Sequence, residues 1–214
     1  MRVLAVLVGI VLLALLLARR FAAPAETMPA SALESDVLAA LNRVRADPAG
    51  FIGVLEDLRT HLVGTRLDLP GRTPVRTVEG AAAVTEAIDV LRSTAAMPTF
   101  RRSDGLSLAA RDHAADLGKS GNTGHKGADG SAPAERMNRH GRWQRTSGEA
   151  IAFGENPGIG VVAQLLIDDD VPDRGHRTLL LDPGYHVAGI ACGPHATFRQ
   201  VCVIDLAADF VEGP

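Results

Sequence analysis

Lysine is nearly absent from this 214-residue chain: Lys119 and Lys126 are the only two, and arginine carries the rest of the positive charge. That scarcity is a compositional bias rather than a functional signal. Basic residues are not in excess either. The 22 Lys and Arg stand against 25 Asp and Glu, a net charge of -3, which leaves no basic footprint and excludes nucleic acid as the expected partner. No internal repeat or low-complexity tract appears, and the length suits one domain plus a leader. The chain has no Ser-His-Asp order, no His-Glu-x-x-His and no phosphate loop, so no positive signature of a hydrolase is present. Only two cysteines occur, Cys192 and Cys202. Neither lies near the N-terminus, which argues against a lipoprotein.

What is present begins with the leader. Arg2 precedes an apolar run from Val3 to Ala18, followed by Arg19-Arg20. The run is long for a signal-peptide core and short for a spanning helix. Ala23-Pro24-Ala25 offers a small-residue cleavage pattern. Residues 1–25 are therefore a signal peptide or an N-terminal membrane anchor, 26–32 a linker, and 33–214 the folded domain. The protein is expected to be exported: secreted, periplasmic or anchored facing outward, touching membrane only through residues 3–18. An exported chain meets an oxidising compartment, so the cysteine pair reads as a disulfide. The β-rich stretches "HVAGIACG" and "FRQVCVIDL" can set Cys192 opposite Cys202.

Apolar spacing predicts a helix over 33–46, capped by Ser31 or Ser35, and a second with Pro48 in its first turn, running to about Leu62. Residues 63–78, with "LPGRTPVRT", read as a loop. Further helices are expected over 79–93, about 104–119, a short one capped by Ser131, and "GIGVVAQLLIDD". "GEAIAFG" alternates as a strand, with Trp143 before it in packing ahead of a polar loop. A short helix follows His176, and the two cysteine strands close the chain. Helices first and an antiparallel sheet late make an α+β fold.

Four places can carry chemistry: His125 in "GNTGHKGADG", Glu149 in "SGEAI", Asp168 or Asp169 at the end of the sixth helix, and His176 in "RGHR". Two imidazoles and two carboxylates suit a borderline metal or an acid/base set. The plainer alternative is a loop-surface histidine, a strand-edge glutamate and a solvated helix end. Either Asp168 or Asp169 continues the buried stripe, while Asp170 is expected to face solvent. A carboxylate such as Glu149 on an apolar strand face is costly unless paired. His113 reads as a core or cleft-rim histidine and His195 as a hairpin-turn residue. His140 and His186 have no spaced partner, and Asp129 is a turn former.

"LNRVRADPAGF", "LSLAARDHAADLGKSGNTGHKGADGS", "GEAIAFG" and "LLIDDDVPDRGHRTLLLDPGYHVAGIACGPH", in that order over about residues 33–210, resemble the CAP superfamily of cysteine-rich secretory, antigen 5 and pathogenesis-related proteins, the SCP domains, in its bacterial secreted branch. The resemblance implies an α-β-α sandwich with a central antiparallel sheet. It also implies a cleft lined by two His and two acids. His125 and His176 match the two cleft histidines, Glu149 the glutamate of the Gly-Glu-Asn motif, and Asp168 or Asp169 the second acid. Ala150 replaces the motif's Asn, and Gly154-Glu155-Asn156 imitates the motif by coincidence.

The expected function is binding of a small ligand, a lipid or a divalent metal such as zinc, with His125, His176 and Glu149 as candidate metal ligands. The alternatives are a metal-assisted hydrolase acting on cell-envelope material and a structural envelope protein with a vestigial cleft. The leader is testable directly. Fractionation with N-terminal sequencing is expected to find either an intact chain in the membrane fraction or an exported chain beginning near Glu26. A cytoplasmic, uncleaved product would refute both.

Overall fold

The computed structural model describes residues 30–154 and 156–213. The leader, its cleavage pattern and Glu155 of the imitation motif lie outside the described residues. Among those described, no helix is long and apolar enough to cross a membrane.

Helix α1 (Ala30–Ala46) starts earlier than its apolar stripe suggests and takes in the end of the expected linker; both proposed serine caps fall inside it. Leu33, Val37, Leu41 and Val44 are its buried face, at the spacing of one helical stripe. Helix α2 (Pro48–Thr60) is N-capped by Asp47, which accepts from the Gly50 N–H at 2.8 Å. Residues 62–78 are not a plain loop. They form three short antiparallel strands, β1 (Leu62–Val63), β2 (Arg66–Leu67) and β3 (Val75–Arg76). Helix α3 (Ala81–Ser93) follows. Helix α4 (Asp104–Ser120) is capped by Ser103 and stopped by Gly121 in the left-handed region, φ 71°, the usual geometry of a glycine helix stop. Helix α5 (Pro133–Met137) is preceded by Ala132 rather than Ser131 at the cap; the Ala132 N–H donates to Glu135 instead.

The main sheet has the order β4-β6-β7-β5. Its long strands β5 (Gly141–Phe153), β6 (Val187–His195) and β7 (Arg199–Glu212) are antiparallel. Only the two-residue edge strand β4 (Arg101–Arg102) runs parallel, beside β6. Strand β5 is longer than "GEAIAFG", because Trp143 and its polar neighbours pair with β7 as well. Helices α6 (Gly158–Ile167) and α7 (Gly175–Leu180) complete the chain, and α7 begins just before His176 rather than after it.

Both faces of the sheet are covered. Ala150, Ala152, Ile190 and Ile204 pack under α1, α3 and α6, while Ile151, Ala191, Val201 and Val203 pack under α4. Alternate residues of each strand thus enter opposite cores, and the result is the expected α-β-α arrangement. A side chain at Gly189 would collide with the backbone of Leu106 and Ser107, which is how α4 lies so close to the sheet. Buried Arg45 ties the layers at one end. Its guanidinium donates to the carbonyls of Pro98, Leu180, Asp182 and Tyr185 at 2.7–3.0 Å and stacks on Phe100.

Cys192 and Cys202 stand directly opposite on β6 and β7 and are joined, with Cα atoms 4.1 Å apart. Closing so short a loop contributes roughly 2–3 kcal/mol. Thiol titration of the unfolded, unreduced protein is expected to find no free thiol. Two free thiols would show that the bond does not form.

Candidate functional site

The site is built on the sheet edge. Strand β5 is the last strand of the sheet, and Glu149 lies on its α4-facing side with Ile151. The Glu149 side chain is fully buried. Its Oε1 accepts from Nδ1–H of His125 at 2.8 Å, and its Oε2 accepts from Arg136 at 2.7 Å. Arg136, itself buried, comes from α5 and also donates to the carbonyls of Ser131 and His125. It therefore fixes the loop that carries His125. Burial alone would raise the Glu149 pKa, but the His125 hydrogen bond and the Arg136 charge outweigh it and hold it below the usual carboxylate value.

The other half comes from the opposite layer. Helix α6 ends at Ile167, and Asp168 takes the left-handed cap position, φ 55° and ψ 47°. Its buried carboxylate accepts from the His176 N–H at 2.9 Å and the Arg177 N–H at 3.3 Å through Oδ2, and from His176 Nδ1–H at 2.6 Å through Oδ1. The change of backbone sign at Asp168 breaks the helical phase. For that reason the buried stripe of the helix cannot choose between the two acids. Asp169 is corrected out of the cleft: it accepts from the Val78 and Glu79 N–H groups at 2.7 and 2.8 Å and holds the approach to α3. Asp170 is exposed, as expected.

The two halves meet. The rings of His125 and His176 are 6.1 Å apart, centroid to centroid, with their side chains 48% and 22% exposed. A carboxylate accepts, so each Nδ1 donates its N–H to the acid, and each Nε2 is the ring nitrogen that the acid leaves unengaged. Among the described residues neither Nε2 has a hydrogen-bond partner. Glu149 does not complete a three-ligand set with the histidines, since both its oxygens are engaged. No three His, Cys, Asp or Glu side chains are grouped as a metal would need among the described residues.

The other histidines sort out cleanly. His113 is fully buried beneath the cleft; its Nε2 bonds the Gly124 carbonyl at 2.9 Å and lies 3.8 Å from Glu149. Burial lowers its pKa, against the pull of Glu149. His195 ends β6 and its Nδ1 accepts from Thr197 and Phe198 in the turn. His140 does have a partner, Asp112 at 2.7 Å, brought to it by the fold rather than by spacing. Asp129 accepts from Ser131 N–H in its turn.

Sequence reasoning missed Arg136 and Asp205. Asp205 lies on β7 directly opposite Glu149, is fully buried, and neither of its oxygens accepts a hydrogen bond. An acid inside "QVCVIDLAADF" was the available signal. Burial, and then the charge of Glu149, push its pKa well above the ordinary carboxyl value. It keeps its proton in the folded state where the unfolded chain has released it. The Asp205 contribution to stability therefore falls as pH rises above roughly 3.9, by at most about 1.4 kcal/mol per pH unit, until the folded pKa is passed. Asp205→Asn, a neutral donor of the same shape, is expected to flatten that loss and to be more stable than wild type at pH 7.5. Urea unfolding at pH 5 and pH 7.5 measures it; equal slopes for the two proteins would show Asp205 ionised in both states.

A family model, the cysteine-rich secretory protein family CAP, matches residues 85–206. A search of curated proteins gives no match. Among solved structures the chain is similar to an extracellular protein containing an SCP domain from Bacillus anthracis str. Ames, at 16% identity and TM-score 0.44, covering 62% of this chain and 39% of that one. It is similar to an outer surface protein from Borrelia burgdorferi at 16% identity and TM-score 0.44, covering 64% and 98%. It is also similar to a cysteine-rich secretory protein from Staphylococcus aureus subsp. aureus Mu50 at 12% identity and TM-score 0.36, covering 65% and 44%. The span matched by the family model is more than half the chain and holds both cleft histidines, Glu149, Asp168 and both cysteines, and the chain belongs to the CAP, or cysteine-rich secretory protein, family.

Proposed function

We propose that the chain is an exported domain whose cleft binds a divalent cation, zinc being the type, through Nε2 of His125 and Nε2 of His176. One observation carries this reading. Each imidazole has its Nδ1–H held by a buried carboxylate, and the two rings stand 6.1 Å apart. Carboxylate–histidine pairing of this kind fixes the tautomer and orients the ring toward a metal. Two imidazoles sharing one zinc at the usual Zn–N bond length of about 2.0–2.1 Å have centroids roughly 5–6 Å apart, close to the 6.1 Å found here. Export is supported by the apolar leader and by the Cys192–Cys202 bond, which suits an oxidising compartment.

In this reading His125 and His176 hold the ion, and Glu149 and Asp168 orient them. Arg136 keeps Glu149 anionic and in place. A bound zinc would supply Lewis acidity and lower the pKa of a water on it. Only two protein ligands are offered, which leaves coordination positions for water or for oxygen atoms of a ligand. Those open positions favour a second reading, metal-assisted hydrolysis of envelope material. Metal-dependent turnover separates it from simple binding.

Protons compete with zinc for imidazole nitrogen, so affinity is expected to be weaker at pH 5.5 than at pH 7.5. Calorimetry with zinc at pH 7.5 and 5.5 checks this. His125→Ala should abolish the site, and Asp168→Asn should weaken it roughly 10–100-fold. Zinc bound equally well by His125→Ala would place the ion elsewhere.

A further inference from the structure

The loop that carries His125 has little hold on itself. Residues 122–126 take part in no backbone–backbone hydrogen bond among the described residues. Gly121 and Gly124, which precede His125, both have positive φ, 71° and 99°. No atom beyond its chain neighbours stands within 4 Å of where a Gly124 side chain would begin, so packing does not fix that residue. Such a stretch pivots unless its carbonyls are tied. Side chains tie them. Thr197 donates to the Gly121 carbonyl at 3.3 Å, His195 Nε2 to that of Asn122 at 2.9 Å, His113 Nε2 to that of Gly124 at 2.9 Å, and Arg136 to that of His125 at 3.1 Å.

Of these, His113 also faces the cleft acid. It lies on α4 and is fully buried. A carbonyl accepts, so Nε2 donates, and the same Nε2 lies 3.8 Å from Glu149 Oε1. That is too long for a hydrogen bond, but Oε1 is the atom that accepts from His125 Nδ1–H. One buried N–H therefore sits beside both groups that aim His125: the peptide unit joining Gly124 to it, and the carboxylate oxygen its ring meets. Packing alone does not account for an imidazole here. Its Nδ1 is buried and has no hydrogen-bond partner among the described residues, and an unpaired buried polar atom is costly. A ring without nitrogen would fill the space without that cost, so the imidazole is explained by what its Nε2 holds. Burial lowers the His113 pKa, which favours the neutral ring with its proton on Nε2.

We propose that His113 is a positioning residue for the zinc site: by holding the Gly124–His125 peptide against α4, it keeps the His125 ring on Glu149 with Nε2 turned toward His176. It touches neither ion nor ligand and acts only through His125. Its effect on affinity rests on the zinc reading; its effect on the His125 ring rests on the hydrogen bonds alone.

The test is NMR of the full chain, isotope-labelled at histidine, in neutral detergent without zinc, followed by calorimetry with zinc at pH 7.5. Wild type is expected to show His113 with its proton on Nε2 and His125 with its proton on Nδ1. In His113→Phe the His125 ring is expected to lose that single form and give an averaged mixture, and zinc affinity should fall roughly tenfold. His113→Gln places an amide N–H where Nε2 stood and is expected to restore both. His113→Asn, whose amide is too short to reach Gly124, should behave like His113→Phe and replaces it in the test if the phenylalanine variant does not fold. A His125 ring unchanged in these variants would overturn the proposal. So would equal losses in His113→Gln and His113→Phe, which would mean that the ring only fills space. If wild type binds no zinc while His113→Phe still alters the His125 ring, the zinc reading falls and the hold on His125 is supported.

Discussion

A single buried carboxylate, that of Glu149, sets the terms for one whole side of the molecule. A charge taken out of water must be matched by hydrogen bonds and opposite charge, or it will be neutralised. Glu149 is matched twice, by His125 and by Arg136. Each of those partners must then be delivered by a separate segment. The loop after α4 brings His125, and α5 exists at a length just sufficient to bring Arg136. Burial, and then the charge of the same carboxylate, push the pKa of Asp205 across the ladder well above the ordinary carboxyl value. One residue on an edge strand thus fixes a loop and a short helix and adds to the shift on the neighbouring strand.

Asp168 solves the same problem from the other layer by different means. It has no guanidinium on its side-chain oxygens; it uses the backbone N–H groups of His176 and Arg177 and the ring of His176. Free N–H groups at a helix start are natural carboxylate partners. The two histidines are therefore oriented by acids rooted in opposite cores, and they meet only because β5 is an edge. An interior strand would have had a neighbour where the cleft opens.

Much of this was legible in the sequence, and the limits have physical causes. The helices were visible because their apolar residues repeat at 3.6, and the cystine because two β-rich stretches each carried one cysteine. The four cleft segments were singled out through the family resemblance that their order along the chain carries. The choice of Asp168 over Asp169 was not legible, because the left-handed cap at Asp168 is a backbone event that no side-chain periodicity records. Arg136 looked like one arginine among many; its role depends on α5 folding back over β5. The strands at 62–78 are two residues each, too short for an alternation to show. His140 met Asp112 across the fold, a pairing that spacing within a helix cannot reveal.

The segment joining α6 to α7 holds the most strained backbone near the site. Asp168, Asp170 and Arg174 all have positive φ without being glycine, a conformation that costs energy unless the surroundings enforce it. The surroundings do. Arg174 donates to the carbonyls of Asp168 and Val171 and to both Glu79 and Glu86, and those contacts hold both glutamates at a pKa of about 2. Asp169 adds its two bonds to Val78 and Glu79, just before α3. Glycine at any of the three strained positions would have been easier on the backbone. Asp168 and Arg174 are instead residues whose side chains are needed, one to orient His176 and the other to clamp the loop that presents it. The strain thus sits where a side chain's task outweighs its backbone preference, and it lies within eight residues of His176.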